Sequence, residues 1–171
     1  MSERAPSRIW LLVLAAVLVA SGCALKRIEN GVYHSSKGYR VAIPNAEWTL
    51  VDEGPADLTL RHRGWAAGMA VNAACEGAAR LRPAGVLARQ LQIGLRDRKV
   101  IERATIEVAG RPATRVLVEG RLEESAERVR IESLSMKDER CLYDFLYVAP
   151  PATFETVRTD FARFVDSFRT E

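Results

Sequence analysis

An apolar stretch near the N-terminus constrains this chain more than any other feature of its sequence. Residues Ile9–Ala20 are twelve apolar residues, preceded by two arginines and followed by the small residues Ser21 and Gly22. A positively charged start, a short apolar core and a small-residue exit are typical of a secretory signal peptide. Residues 1–22 are therefore predicted to be removed on export, which leaves 149 of the 171 residues.

The residue at the exit, Cys23, indicates what kind of signal this is. Small residues followed directly by a cysteine resemble the lipobox of bacterial lipoproteins. The resemblance implies that Cys23 is acylated with diacylglycerol and becomes the new N-terminus, anchored in the membrane by its acyl chains. It also implies an outer-membrane location if the organism is Gram-negative, because Ala24 rather than aspartate follows the cysteine.

An uncleaved transmembrane helix is the alternative interpretation of the same segment. Residues Ile9–Leu25 are seventeen consecutive uncharged residues, which is at the lower limit for crossing a bilayer. Both interpretations place the rest of the chain outside the cytoplasm. We predict a tether over residues 23–31 and a single domain over residues 32–171.

Two cysteines remain in the domain once Cys23 is assigned to the anchor. An even pair in an exported protein favours a disulfide, so we predict a bond between Cys75 and Cys141. The alternative is that both are buried free thiols that pack as small apolar residues. No CxxC spacing is present, so nothing indicates a redox enzyme.

Alternating apolar and polar residues dominate the domain and predict strands joined by short turns. Two segments differ: a leucine repeat predicts a helix over Pro83–Arg96, and a second helix is predicted after Thr153, which would cap it. The apolar positions of the second helix form one stripe, predicted to be core: Phe154, Val157, Phe161, Phe164, Val165 and Phe168. The predicted fold class is α+β, with an antiparallel sheet packed against two helices.

Short aromatic motifs add a resemblance to a known fold. Tyr33, a polar turn, Gly38-Tyr39, an alternating strand, Ile43-Pro44 and Trp48 follow one another, and Tyr143-Asp144-Phe145 and Ser167-Phe168 come near the end. This pattern resembles the PsbP-like proteins, a group that includes short bacterial lipoproteins. The resemblance implies the fold over most of the mature chain. It carries over no functional residue, because the family has no shared catalytic centre.

Charge and motifs narrow the functional classes. Twenty-five basic and 22 acidic residues give a formal charge of +3, so no nucleic-acid partner is predicted. The sequence has no GxSxG, SxxK or HExxH motif and no glycine-rich phosphate loop, and its histidines, His34 and His62, belong to no ligand cluster. We therefore predict no catalytic residue, no metal and no cofactor.

One basic and aromatic segment stands out as a candidate contact surface. Arg61, His62 and Arg63 lie at a predicted strand end, two residues before Trp65. Arginines also flank the first predicted helix, at Arg80, Arg82, Arg96 and Arg98, with Lys99 beside them. Such groups could contact lipid headgroups, anionic glycans or a partner, but the near-neutral total favours an ordinary solvated surface. Trp65 is interpreted first as a core or hairpin-lid residue.

These features predict a membrane-tethered, non-enzymatic accessory domain that binds a protein of the cell envelope. One alternative is a carrier or sensor that holds a small ligand between sheet and helix, in a closed cavity beside Phe145, Phe161 and Phe164. A hydrolase with an unrecognised site is the third hypothesis.

Overall fold

Two antiparallel sheets and a helix form the domain, for which the computed structural model describes residues 27–52, 54–77 and 94–171. The small sheet contains, in spatial order, β1 (Arg27–Glu29), β2 (Val32–Ser35), β3 (Tyr39–Ala42) and β11 (Arg169–Thr170). The large sheet contains, in spatial order, β4 (Trp48–Val51), β5 (Leu58–His62), β6 (Gly68–Ala74), β10 (Leu142–Ala149), β9 (Arg128–Lys137), β8 (Arg111–Leu122) and β7 (Leu95–Val108). Helix α1 (Phe154–Asp166) follows β10.

The strands form where the sequence alternates, because one face of each strand is buried. In β3, Tyr39 and Val41 are fully buried whereas Arg40 between them is exposed. The same period-2 pattern buries Leu58 and Leu60 in β5. The central strand β10 is buried along most of its length, as expected for a strand covered on both faces.

Helix α1 packs its predicted apolar stripe against the large sheet. Phe154 and Phe161 both contact the ring of Tyr147 in β10, at centroid distances of 4.8 and 5.4 Å. All six residues of the stripe are buried, which confirms it as core. Thr153 occupies the position before the helix but makes no capping bond; its hydroxyl donates instead to the carbonyl of Pro150 at 3.4 Å.

Phe168, just beyond α1, lies where the two sheets meet. Its ring is fully buried and contacts Tyr39 of the small sheet at a centroid distance of 5.6 Å. It also contacts Tyr143 and Phe145 of the large sheet at 4.9 and 5.3 Å. Directly afterwards, Arg169 and Thr170 pair with β3 as the short strand β11. This aromatic contact therefore joins the C-terminus to both sheets.

A disulfide joins Cys75 and Cys141, the pair that the sequence predicts. Cys75 follows β6 and Cys141 precedes β10, and these strands already pair with each other, with Ala74 opposite Leu142. The bond therefore links the ends of neighbouring strands and closes a chain segment with a sequence separation of 66.

The prediction of one sheet and two helices needs correction. The described residues form two sheets and contain one complete helix, so the domain is mostly β. The predicted helix Pro83–Arg96 lies outside the described residues except at its end, where Leu95 and Arg96 belong to β7 instead. Leu95 packs there against Val116 and Val118, so a residue that fits a helical leucine repeat serves as a strand residue.

The chain enters the domain through β1. Arg27–Glu29, which the sequence analysis places in the tether, pair with β2 in register from Arg27 opposite His34 to Glu29 opposite Val32. No helix in the described part of the chain is long and apolar enough to span a membrane. Residues 1–22 and Cys23 lie outside the described residues.

Candidate functional site

The hairpin connection between β5 and β6 exposes a tryptophan at the surface. We call residues Arg61–Ala66 the Trp65 loop. An open pocket of about 660 Å³ lies beside the loop. It is lined by Thr49, Arg61, His62, Arg63, Trp65 and Ala66. Trp65 is 44% exposed, so it is not the core or lid residue that the sequence favours. A large aromatic left in solvent is a frequent feature of binding surfaces.

A buried histidine holds this loop in shape. Nδ1 of His62 accepts hydrogen bonds from the backbone N–H groups of Gly64 at 3.0 Å and Trp65 at 3.1 Å. The His62 ring is 8% exposed and packs edge-on against Trp48 at a centroid distance of 5.0 Å. Because Nδ1 acts as acceptor, the proton of the neutral ring lies on Nε2. His62 is thus a structural residue that fixes the backbone beneath Trp65.

The Trp65 loop carries two positively charged side chains. Arg61 and Arg63 are both exposed, and neither forms an ion pair with an acidic side chain in the described part of the chain. By contrast, Arg158 of α1 binds Glu132 at 2.7 Å. A guanidinium can form two parallel hydrogen bonds with a carboxylate. Two such groups beside an exposed indole can therefore bind an acidic surface.

Beneath the loop, a buried carboxylate anchors Trp48 to the helix. Asp160 of α1 is 6% exposed and accepts hydrogen bonds from Trp48 Nε1 at 2.8 Å and from Asn45 at 3.0 Å. Arg163, one turn further along α1, donates a third bond. Burial alone would raise the pKa of Asp160, but the bonds from Trp48, Arg163 and Asn45 outweigh it and hold the pKa below its usual value.

This arrangement predicts a pH-dependent contribution to stability. The lowered pKa means that ionised Asp160 stabilises the fold fully above the pKa of an unfolded aspartate, about 3.9, and that this contribution is lost as the pH falls through the folded pKa. We expect Asp160→Asn to lower the free energy of unfolding by about 1–3 kcal/mol at pH 7. The difference from the wild type should shrink below about pH 4. Urea unfolding at several pH values measures both; a difference that is constant down to pH 2.5 would contradict it.

A second concave feature lies on the other side of α1, between the helix and strands β7–β9. This groove has a volume of about 340 Å³. Its lining includes apolar residues of both the sheet and the helix: Ile106, Val108, Leu134, Phe161, Ala162 and Val165. One end carries the ion pairs of Glu132, which binds Arg158 at 2.7 Å and lies 3.9 Å from Arg115.

Of the three phenylalanines beside which a ligand carrier would hold a closed cavity, two are packed in the core. Phe145 and Phe164 are fully buried and pack edge-to-face at a centroid distance of 6.2 Å. Only Phe161 of the three lines the groove, which is open to solvent. Among residues 27–52, 54–77 and 94–171, no group of three or more His, Cys, Asp or Glu side chains is placed to hold a metal ion.

The other predicted surface residues are dispersed. His34 lies on the small sheet, 3.3 Å from Glu171, far along the chain from His62. Arg96, Arg98 and Lys99 are exposed on β7. Arg80 and Arg82 lie outside the described residues. Among the described residues of the predicted basic surface, Arg61, His62, Arg63 and Trp65 line one pocket together.

The groove and the Asp160 contacts were not predicted from the sequence. Asp160 meets Trp48 across 112 positions, and Glu132 meets Arg158 across 26. No local pattern reports pairs this distant. A weak signal is present in α1, where Asp160 breaks the polarity pattern because it lies on the buried side of the helix.

Comparisons with known proteins identify the fold. No known protein family matches this sequence, and no curated protein does. Among solved structures, CyanoP, the cyanobacterial PsbP of Synechocystis sp. PCC 6803, superposes with a TM-score of 0.59 at 16% identity, covering 88% of this chain and 96% of CyanoP. LpqN of Mycobacterium tuberculosis, involved in cell envelope biogenesis, gives a TM-score of 0.57 at 10% identity, covering 81% and 88%. PA94 of Pseudomonas aeruginosa, described as a putative regulator, gives 0.52 at 14%, covering 82% and 96%.

These similarities define the class of structure. At identities of 16% and below they show the fold alone, and that fold is PsbP-like. The resemblance found in the short aromatic motifs of the sequence is thereby confirmed at the level of the fold. A shared fold carries no specific activity over to this chain.

Proposed function

We propose that this protein is a lipid-anchored, non-enzymatic accessory domain of the cell envelope that binds a partner protein through the Trp65 loop. The observation that carries the proposal is an exposed tryptophan beside two arginines that have no acidic partner in the described residues. Tryptophan and arginine are the residue types that most often dominate the energy of protein interfaces. The unpaired arginines select a partner surface rich in carboxylates.

The location follows from the N-terminal signal. Acylation of Cys23 would hold the domain at the membrane, and an outer-membrane site in a Gram-negative cell is supported by Ala24 after the cysteine. Only three residues separate Cys23 from Arg27, the first residue of β1. A chain of that length spans at most about 14 Å, so the folded domain would stay next to the bilayer. A structural neighbour involved in envelope biogenesis supports the same location.

Site-specific crosslinking in living cells tests the proposal. A photo-crosslinking amino acid at position 65 is expected to capture one envelope protein, because position 65 would lie inside the interface. The control places the same amino acid at Glu139, an exposed residue at the disulfide end of the domain. The double substitution Arg61→Glu and Arg63→Glu should reduce capture at position 65 at least tenfold, since it would place acids against an acidic partner.

Three results would contradict the proposal. Equal capture of the same protein from positions 65 and 139 would mean that proximity to the membrane, not docking, produces the crosslink. Capture that does not depend on the two arginines would remove the charge argument. An N-terminal peptide of this chain that retains residues 1–22, rather than beginning at an acylated Cys23, would refute the lipid anchor.

A further inference from the structure

We propose that the groove between α1 and strands β7–β9 is a second binding site, for a peptide segment that presents an apolar side chain next to a lysine or arginine. The groove lies beside α1 and shares no lining residue with the Trp65 loop. The proposal therefore goes beyond the function assigned to that loop and does not depend on it.

The apolar floor of the groove supplies the first part of the argument. Leu134 and Phe161 are buried in the core and form the base, while Ile106 of β7 is half-buried and Ala162 of α1 is exposed. The apolar surface thus continues from the core to the solvent between a helix and a sheet. A volume of about 340 Å³ lies within the range of sites that hold small ligands or single anchoring side chains.

An unsatisfied donor supplies the second part. Arg115 lines the groove from β8 and forms ion pairs with Glu102 and Glu132, yet its Nε is buried without a hydrogen-bond partner. It is the one buried side-chain nitrogen or oxygen without a partner in the described part of the chain. Buried donors are nearly always satisfied, so binding that turned the Arg115 side chain towards the groove would let this N–H donate to an acceptor such as the carbonyl oxygen of a peptide.

The charges that line the groove decide whether it fits a peptide that carries a cation or an anionic ligand. The lining contains two basic residues, Arg115 and Arg158, and four acidic ones, Glu107, Glu132, Glu155 and Asp166. Both arginines are already paired with acids, whereas Glu107 and Asp166 have no basic partner among the described residues. An anion would therefore be repelled at the rim, and a lysine or arginine beside the apolar side chain would be attracted.

Binding of defined peptides to the full chain, extracted in a non-ionic detergent, tests the site. The probe is a fluorescein-labelled peptide with the sequence Ala-Lys-Leu-Lys-Ala, compared with Ala-Glu-Leu-Glu-Ala and Ala-Lys-Ala-Lys-Ala, and fluorescence anisotropy reports binding. We expect saturable binding of the first peptide and at least tenfold weaker binding of the other two. The leucine would fill the apolar floor and the lysines would face Glu107 and Asp166.

Substitutions at exposed positions should leave the domain folded, and they test whether the peptide binds in the groove. Ala162→Trp should block the groove and weaken binding at least tenfold, whereas Thr156→Trp, at an exposed position of the same helix outside the groove, should not change it. Glu107→Lys with Asp166→Lys should reverse the preference, so that the glutamate peptide binds better. Equal effects of the two tryptophan substitutions, a preference that does not reverse, or no saturable binding would each overturn the proposal. None of these results alters the crosslinking at position 65.

Discussion

Replacement of Phe168 by alanine is expected to lower the free energy of unfolding by about 3–5 kcal/mol, the range for removing a large aromatic ring from a packed core. The ring is fully buried and contacts three aromatic rings, Tyr39, Tyr143 and Phe145, which come from both sheets. Its loss leaves a cavity where the sheets meet, and neither sheet can close that cavity without moving relative to the other. Urea denaturation followed by far-ultraviolet circular dichroism measures the change.

The position of Phe168 gives this prediction a second, local readout. Arg169 and Thr170 pair with β3 directly after the ring, so the alanine variant should lose protection from amide hydrogen exchange in β11 before the large sheet is affected. Trp65→Ala is the matched control, because it removes an aromatic ring that is 44% exposed and should change stability by less than about 0.5 kcal/mol. Similar losses for the two variants would mean that the Phe168 contacts do not hold the sheets together.

The strands and the last helix could be predicted because their information is local. The period-2 pattern of Tyr39 and Val41 and the aromatic stripe of α1 each report one buried face, and each is buried as expected. Periodicity therefore suffices wherever one element packs one face against the core.

The division into two sheets could not be predicted, because it depends on very short strands. β1 and β11 contain three and two residues, too few for any period to be visible. They exist because β2 and β3 offer backbone partners on both sides, not because their own side chains favour a strand. The prediction for Leu95 failed for the opposite reason, because a local pattern was visible but did not determine the structure. It continues a leucine repeat with four-residue spacing, but the tertiary contacts with Val116 and Val118 decide its structure.

For the Trp65 loop and the groove, the sequence shows which residue types are present but not whether they are exposed or lie together. The sequence presents Arg61, Arg63 and Trp65 together, but exposure is a property of the fold, and the favoured interpretation placed the tryptophan in the core or a hairpin lid. His62 explains the difference: by accepting two backbone bonds it turns the chain so that the indole lies outside. The groove depends on Arg115, Glu132 and Arg158, which three separate elements bring together.

Removal of the disulfide by substituting both Cys75 and Cys141 with alanine should lower the free energy of unfolding by about 4 kcal/mol. The bond closes a segment with a sequence separation of 66, and its main effect is to restrict the unfolded chain. The native structure should change little, because β6 and β10 remain paired next to the removed bond, at Ala74 and Leu142. Urea unfolding of the variant and of the wild type, each with and without reductant, measures the difference.

Refolding and unfolding rates distinguish an effect of the disulfide on the unfolded chain from a loss of contacts in the folded state. A crosslink that acts on the unfolded state shortens the search for the β6 and β10 pairing, so its removal should slow refolding and leave the unfolding rate nearly unchanged. Reductant should lower the stability of the wild type to that of the variant and should not affect the variant, since Cys23 is then the only remaining cysteine. A faster unfolding rate that accounts for most of the loss would place the effect in the folded state. Such a result would show that Cys141, which is 1% exposed, contributes mainly through its packing.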